Sequence, residues 1–250
     1  MPEILSADSV TVVIPAYNEA ATIVDVAGRA RAQVARVIVV DDASTDSTAA
    51  CLDGLDVTVL SNEQNQGKAG SLWKGIHYAL QTGSHAVITL DGDGQHRPED
   101  IPRLLEKAAE CPDQIIIAAR DMDHEQVPRH RRNANKVANF WISWACGYPI
   151  ADSQSGFRLY PASLLNAIEL DVSADRGFVF ESEILIEAAS RGVKSQNVTI
   201  EAIYAENRRP SHFRPVMDIV RITRMVAWRL IRQGLAPMGL LRSLGVISPK

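Results

Sequence analysis

Thr89-Leu90-Asp91-Gly92-Asp93-Gly94-Gln95-His96 is the stretch on which the reading of this chain turns. It completes an apolar run from Ala86 that has the composition of a buried parallel strand, and Arg97-Pro98-Glu99-Asp100-Ile101-Pro102 after it reads as the start of a helix. Two carboxylates therefore leave the carboxyl end of a strand one residue apart. Ligands of open α/β sheets bind at that edge, and turns at Gly92 and Gly94 let both acids reach a single cation. Hard oxygen donors suit Mg2+ or Mn2+, with phosphate oxygens and water filling the other positions. The plainer reading is a polar turn whose aspartates satisfy backbone donors and cap the next helix.

Upstream, the same pattern repeats. Val10-Thr11-Val12-Val13-Ile14 is a strand ended by Pro15, followed by Ala16-Tyr17-Asn18-Glu19 and a helical stretch from Ala20 to about Gln33. Val37 to Val40 is a second strand, ending in Asp41-Asp42, with turn residues and a helix through Leu52 behind it. Val57 to Leu60 is a third, and Gly67-Lys68-Ala69-Gly70 opens a helix to about Gln81. Short strands alternating with helices predict βαβ units, right-handed crossovers and a mostly parallel sheet. Tyr17 and Glu19, Asp41 and Asp42, Asn65 to Lys68, and Asp91 to Gln95 all follow strand ends. Such a sheet gathers them along one rim. The first turn carries no Gly-x-Gly-x-x-Gly and the chain has no P-loop, which argues against dinucleotide and P-loop chemistry.

Composition narrows the class further. The 250 residues are 46% hydrophobic and 22% charged, enough for one α/β domain with a full core. A net charge of −4 gives no general attraction to nucleic acid. Cys51, Cys111 and Cys146 are few and scattered, so neither a disulfide framework nor a zinc site is expected, and a reducing compartment is. The first residues lack the basic and apolar regions of a signal peptide. No run reaches the roughly 18 apolar residues of a membrane span. The expectation is a cytoplasmic protein, with peripheral attachment to the cytoplasmic face of a membrane left open.

Pro15-Ala16-Tyr17-Asn18-Glu19, Val39-Val40-Asp41-Asp42-Ala43-Ser44, Asn65-Gln66-Gly67-Lys68-Ala69-Gly70 and Asp91-Gly92-Asp93-Gly94-Gln95-His96, in this order and spacing, resemble the inverting family 2 glycosyltransferases. Ser153-Gln154-Ser155-Gly156-Phe157 and Phe178-Val179-Phe180-Glu181-Ser182-Glu183 resemble the dolichyl-phosphate mannosyltransferase and polyprenyl-phosphate glycosyltransferase branch. The resemblance covers roughly residues 9 to 230. It implies the GT-A fold, a Rossmann-like α/β domain over residues 1–215, followed by an amphipathic helix and tail over 216–250. It also implies a nucleotide-sugar pocket from Pro15, Tyr17, Glu19, Val39, Asp41, Lys68, Asp91, Gly92 and Asp93, and a Mg2+ or Mn2+ site at Asp91, Asp93 and Gln95. The expected catalytic residues are Asp91, Asp93 and Arg208, the last as a contact to the donor diphosphate.

Downstream, Ile115 to Ala119 is a fifth strand ending in Arg120. After a polar loop, Arg129-His130-Arg131-Arg132 leads a helix from Asn135 to about Cys146 that carries Phe140, Trp141 and Trp144. Basic residues beside aromatic ones suit an anionic headgroup with an apolar tail. The resemblance places Arg120, Arg131 and Ser155 at the phosphate of a polyprenyl acceptor, while Asn135 stands where a serine contact is expected. Phe178 to Arg191 reads as a helix and Val193 to Ile203 as a strand. Val216 to Gln233 is amphipathic: Val216, Ile219, Val220, Val226 and Leu230 form one stripe, Arg221, Arg224, Trp228 and Arg232 another. That helix suits either the domain core or an anionic bilayer surface.

The expected activity is transfer of a hexose from a GDP-mannose or UDP-glucose type of donor to a polyprenyl or dolichyl phosphate, with inversion. Three alternatives stay open: a sugar hydroxyl acceptor, with Glu181 or Glu183 taking its proton; a nucleotide-sugar binder without turnover; and an aspartyl phosphatase, for which Asp-x-Asp-Gly sits too late in the domain.

Overall fold

The computed structural model describes residues 5–122, 127–170, 180–201, 203, 215–232 and 234–248, with backbone alone for 215–222 and 232. Its centre is a seven-stranded sheet in the order β3-β2-β1-β4-β6-β5-β7. The strands are β1 (Val10–Ala16), β2 (Arg36–Asp41), β3 (Thr58–Ser61), β4 (Ala86–Thr89), β5 (Ile115–Arg120), β6 (Arg158–Pro161) and β7 (Ser195–Ile200). Strands β3, β2, β1 and β4 are parallel, as the β-branched runs and intervening helices predict. Register then sets the rim: Ala16 lies opposite Asp41, Asp41 opposite Ser61, and Val13 opposite Thr89. The carboxyl ends of β2, β1 and β4 therefore stand side by side.

Strand β6 was not read from the sequence. It runs antiparallel between β4 and β5, and β5 pairs in parallel with β7. Arg158 opens it with no exposure at all, and a strand of four residues carrying a charge and a proline gives no apolar run to detect. Its antiparallel entry brings residues 153 to 157 back over the end of β4.

Helices cover both faces: α1 (Ile23–Arg31), α2 (Gly67–Gln81), α3 (Ile101–Glu110), α4 (Arg129–Cys146), α5 (Ala162–Ala167), α6 (Phe180–Ser190), α7 (Pro215–Arg232) and α8 (Pro237–Ser243). One apolar layer joins α1 and α3 to the sheet through Ile23, Val26, Ile101 and Leu104; the other joins α2, α4 and α6 through Leu72, Ile76, Ile142 and Ile184. Helix α4 begins at Arg129, so the basic run forms its first turn instead of preceding it. In α7, Val226 and Leu230 are buried in the second layer while Arg224 and Trp228 are exposed. The described part of that helix's apolar stripe, Val226 and Leu230, is core, and the tail beyond it folds back as α8 against α4, where Trp144 Nε1 donates to the carbonyls of Leu235 and Ala236.

Candidate active site at the carboxyl rim of the sheet

The rim is assembled by backbone close to side chains. At the end of β1 the chain turns through Asn18, whose positive φ of 56° is tolerated because its side chain is tied down. Asn18 Oδ1 accepts the Thr45 N–H at 2.8 Å, the Asn18 N–H reaches Ser44 Oγ at 2.9 Å, and the Glu19 N–H reaches Thr48 Oγ1 at 2.8 Å. The end of β1 at Pro15 and the loop carrying Tyr17 and Glu19, all three residues partly buried, are thus pinned to the loop that follows β2. Asp46 completes the clasp by accepting from the Thr48 hydroxyl.

The two acids ending β2 divide their work. Asp42 Oδ1 accepts from Asn62 Nδ2 and from the Gln66 N–H, both at 2.7 Å, so it holds the turn entering α2. Asp41 is 6% exposed, and its Oδ1 is buried without a hydrogen-bond partner. Buried acceptors are nearly always satisfied, so this oxygen at the rim is suited to a donor from a ligand. Val39, placed in the pocket by the resemblance, has no exposed surface: its side chain is core between β1 and β3, and it has nothing to offer a ligand through that side chain.

The acidic turn after β4 docks on the β1 loop. A Cβ at Gly92 would lie 3.3 Å from the Pro15 carbonyl oxygen and 3.3 Å from Ile23 Cδ1, so the two segments pack closely there. The Gly92 carbonyl accepts from Thr22 Oγ1 at 2.7 Å. Asp93 Oδ1 accepts the Gln95 N–H at 2.9 Å, fixing the turn. Asp91 Oδ1 lies 2.7 Å from Lys68 Nζ, and the same ammonium lies 2.8 Å from Glu181 Oε1 on α6. Burial works against the Lys68 ammonium, but the two carboxylates overcome it and raise its pKa above the usual lysine value; burial works against Asp91 likewise, and the Lys68 charge holds it below the ordinary carboxylate range.

Asp91, Asp93 and Gln95 offer oxygen donors within one turn, and among the described residues no three His, Cys, Asp or Glu side chains converge into a metal cage. Two carboxylates and an amide fit Mg2+ or Mn2+ when external oxygens complete the shell. His96 was not singled out by its position in the motif. It is 4% exposed, packs on Phe157 with ring centroids 5.6 Å apart, and faces Asp91 Oδ2 at 4.0 Å; burial pushes its pKa down to about 4, so the imidazole is neutral.

On the other side of β4, Arg158 was also missed. Its guanidinium, fully buried, donates to the carbonyls of Ser155, Glu181 and Ser153, each at 2.7 Å, and so shapes the whole 153–155 loop against α6. The Thr89 hydroxyl donates to the Gly156 carbonyl at 2.7 Å. Ser155 is fully buried, with its hydroxyl accepting the Phe157 N–H. Arg120 sits at the end of β5, paired with buried Asp152, and Arg131 lies partly buried in the first turn of α4. Asn135 supports Asp152, donating to its Oδ1 at 2.7 Å. Arg208 lies outside the described residues, as do Phe178 and Val179. The structure thus joins Tyr17, Glu19, Asp41, Lys68, Asp91 and Asp93 on one rim, with Arg120 and Arg131 on the side of β5 and α4.

Comparison with known proteins agrees with this architecture. Glucosyl-3-phosphoglycerate synthase from Mycobacterium tuberculosis, solved with Mn2+, UDP-glucose and phosphoglyceric acid, superimposes with a TM-score of 0.65 at 21% identity, covering 90% of this chain and 79% of that one; the likeness is one of fold. Undecaprenyl-phosphate mannosyltransferase from Micrococcus luteus is 31% identical over 206 residues, 79% of this chain and 84% of the relative. Polyprenol monophosphomannose synthase from Mycolicibacterium smegmatis is 29% identical over 200 residues, 76% of this chain and 75% of the relative. Residues 11–168 match the glycosyl transferase family 2 description, and the chain belongs to that family.

Proposed function

We propose that this protein transfers a hexose from a nucleotide sugar to a polyprenyl phosphate with inversion at the anomeric carbon, assisted by Mg2+ or Mn2+. The observation that carries this is the docking of the Asp91-Gly92-Asp93 turn onto the Pro15 to Glu19 loop, beside the unpartnered Asp41 oxygen. Tyr17 offers a ring face for a base and Asp41 an acceptor for ribose or base donors. Asp91, Asp93 and Gln95 would hold the cation. When bound, the cation supplies positive charge to the departing diphosphate. Arg208 is the expected second contact to that diphosphate.

The acceptor phosphate needs little help to attack. A phosphomonoester with a second pKa of about 6 is largely ionised at neutral pH, so its oxygen forms the new bond to the anomeric carbon while the bond to the nucleoside diphosphate breaks, and no strong base is required. Arg120, Arg131 and Ser155 are the proposed acceptor residues, Arg120 and Arg131 through their charge and Ser155 through the loop it closes. The names of the relatives support a lipid phosphate acceptor. So does the surface: Phe140 on α4, Trp228 and Ile231 on α7, Leu235 in the turn that follows and Met238 on α8 are all more than 40% exposed, with Arg224 and Arg242 nearby in sequence. Such a face suits an anionic membrane surface; no described helix is long and apolar enough to cross a membrane.

The test is incubation of purified protein with labelled GDP-mannose, UDP-glucose and related donors, polyprenyl phosphate and Mn2+. Label moving into the lipid phase, and lost on chelation, is the expected result. Transfer to free sugars would favour a hydroxyl acceptor, and release of phosphate from small monoesters a phosphatase.

A further inference from the structure

Lys68 is the second residue of α2, a helix with no acidic residue in its first turn and no side chain capping its N-terminus. A cation there opposes the helix dipole. Its negative partners come from elsewhere: Asp91 from the turn after β4 at 2.7 Å and Glu181 from the first turn of α6 at 2.8 Å. The Glu181 side chain is only 6% exposed, and its backbone carbonyl is already taken by Arg158. Asp91 is held on its second side as well, since its Oδ2 lies where a Cβ on Gly156 would come within 2.5 Å.

We propose that Lys68 and Glu181 are positioning residues for Asp91: one ammonium, shared by the two carboxylates, fixes the Asp91 side chain in place, and Glu181 serves as the anchor of that ammonium and not as a proton acceptor for the reaction. This rests on the reading of the acidic turn as the cation and diphosphate site. With Lys68 removed, Asp91 and Glu181 become neighbouring like charges with nothing between them, and Asp91 is driven from its position. With both removed, the repulsion is gone but so is the ammonium that fixes Asp91, so the carboxylate, still enclosed by Gly156 and His96, recovers its place only in part. The two substitutions are therefore strongly non-additive.

The experiment is calorimetric titration of UDP and of GDP into the full chain, with and without Mn2+ and with no acceptor present, so that the readout is the gain in nucleotide affinity that Mn2+ confers. Lys68→Met is expected to cut that gain by at least about tenfold, Glu181→Gln, whose amide oxygen can still accept from Lys68, by less than about threefold, and Lys68→Met with Glu181→Gln to recover it only in part, at least about threefold above Lys68→Met and still about threefold below the parent; Lys68→Arg, which can still bridge two carboxylates, stays near the parent. Thermal melts identify a temperature at which every variant is folded, and the charge-balanced double variant is the one best placed to fold normally. An unchanged gain in Lys68→Met, additive behaviour of the double variant, or loss of sugar transfer in Glu181→Gln with nucleotide binding intact would each overturn the proposal. Asp93→Ala separates the two layers of the argument: if it abolishes the Mn2+ gain while Lys68→Met leaves it intact, only the bridge is wrong, whereas no effect from Asp93→Ala removes the acidic turn as a cation site.

Discussion

Asp152, without any exposed surface, grips Arg120 in a fork: its Oδ2 accepts from Nε at 2.8 Å and from the Arg120 N–H at 3.2 Å, and its Oδ1 accepts from an outer guanidinium nitrogen at 3.1 Å. Asn135 and the Gln154 N–H complete five donors to one carboxylate. Asn139 in turn accepts the Ser153 N–H and donates to Asn135 and to the Ala151 carbonyl. The orientation of Arg120 is thereby tied to α4 and to the 151–154 loop.

Removing that carboxylate charge therefore has a cost. Asp152→Asn leaves the partly buried Arg120 against a poorer acceptor, and a loss of about 2 to 4 kcal/mol is expected, measured by urea unfolding. The pH dependence follows from the same pair. Burial alone would raise the Asp152 pKa, yet Arg120 and Asn135 hold it down to about 2 against 3.8 when unfolded. The folded pKa is the depressed one, so its stabilisation is present above pH 3.8 and is lost as pH falls from there through about 2. The amount is on the order of 2 kcal/mol, and the slope of stability against pH in that window should flatten in Asp152→Asn.

Gly156→Ala probes how tightly Asp91 is enclosed. The added methyl would sit 2.5 Å from Asp91 Oδ2 and 3.0 Å from its Cγ, and the carboxylate proposed for the cation site must move to admit it. The backbone φ of Gly156 is not positive, so the effect is steric and local. Transfer is expected to fall at least about tenfold with a smaller change in melting temperature, because misplacing a group at the reacting centre costs more than a surface rearrangement. Steady-state kinetics beside a thermal melt checks this.

Arg158→Met should be a folding variant more than a catalytic one. Three carbonyls lose their donor at once, each left buried. A destabilisation of about 3 to 5 kcal/mol is expected by denaturant titration, with kcat of the surviving folded fraction affected less than its abundance.

Leu230→Ala tests the attachment of α7. Leu230 is 1% exposed within the core layer, and truncating it should cost about 2 to 5 kcal/mol. Trp228, two residues earlier and 58% exposed, should change stability by less than about 0.5 kcal/mol when replaced by Ser. Circular dichroism melts of the two variants compare the buried and the exposed stripe directly.

Apart from the helix expected through Leu52, which is only a 3-10 turn at Ala50–Leu52, the strand and helix alternation through residue 110 was legible because β-branched runs such as Val37 to Val40 and the punctuation at Pro15, Asp41 and Gly67 carry their structure locally. The four polar clusters at strand ends likewise announced a shared rim, since a parallel sheet places every carboxyl end on one side. Beyond residue 110, local signals still mark β5, α4, α6, β7 and α7, but not β6. Strand β6 is too short and too mixed to declare itself, and its antiparallel insertion is what brings Gly156 against Asp91. Asp42 and Asp41 are neighbours with the same side chain, yet one braces the turn into α2 and the other keeps an unpartnered oxygen at the rim, a difference that depends on where Asn62 and Gln66 return.

From its residues alone the chain determined a parallel α/β core, the acidic turn and the family it resembles, because period, turn chemistry and spacing act over a few residues each. Tertiary structure alone decided that Lys68 answers to Asp91 and Glu181, that Arg158 holds three carbonyls and that Val39 belongs to the core. Charges and hydrogen-bond donors find partners across more than a hundred residues of chain, and sequence order carries no record of which of them will meet.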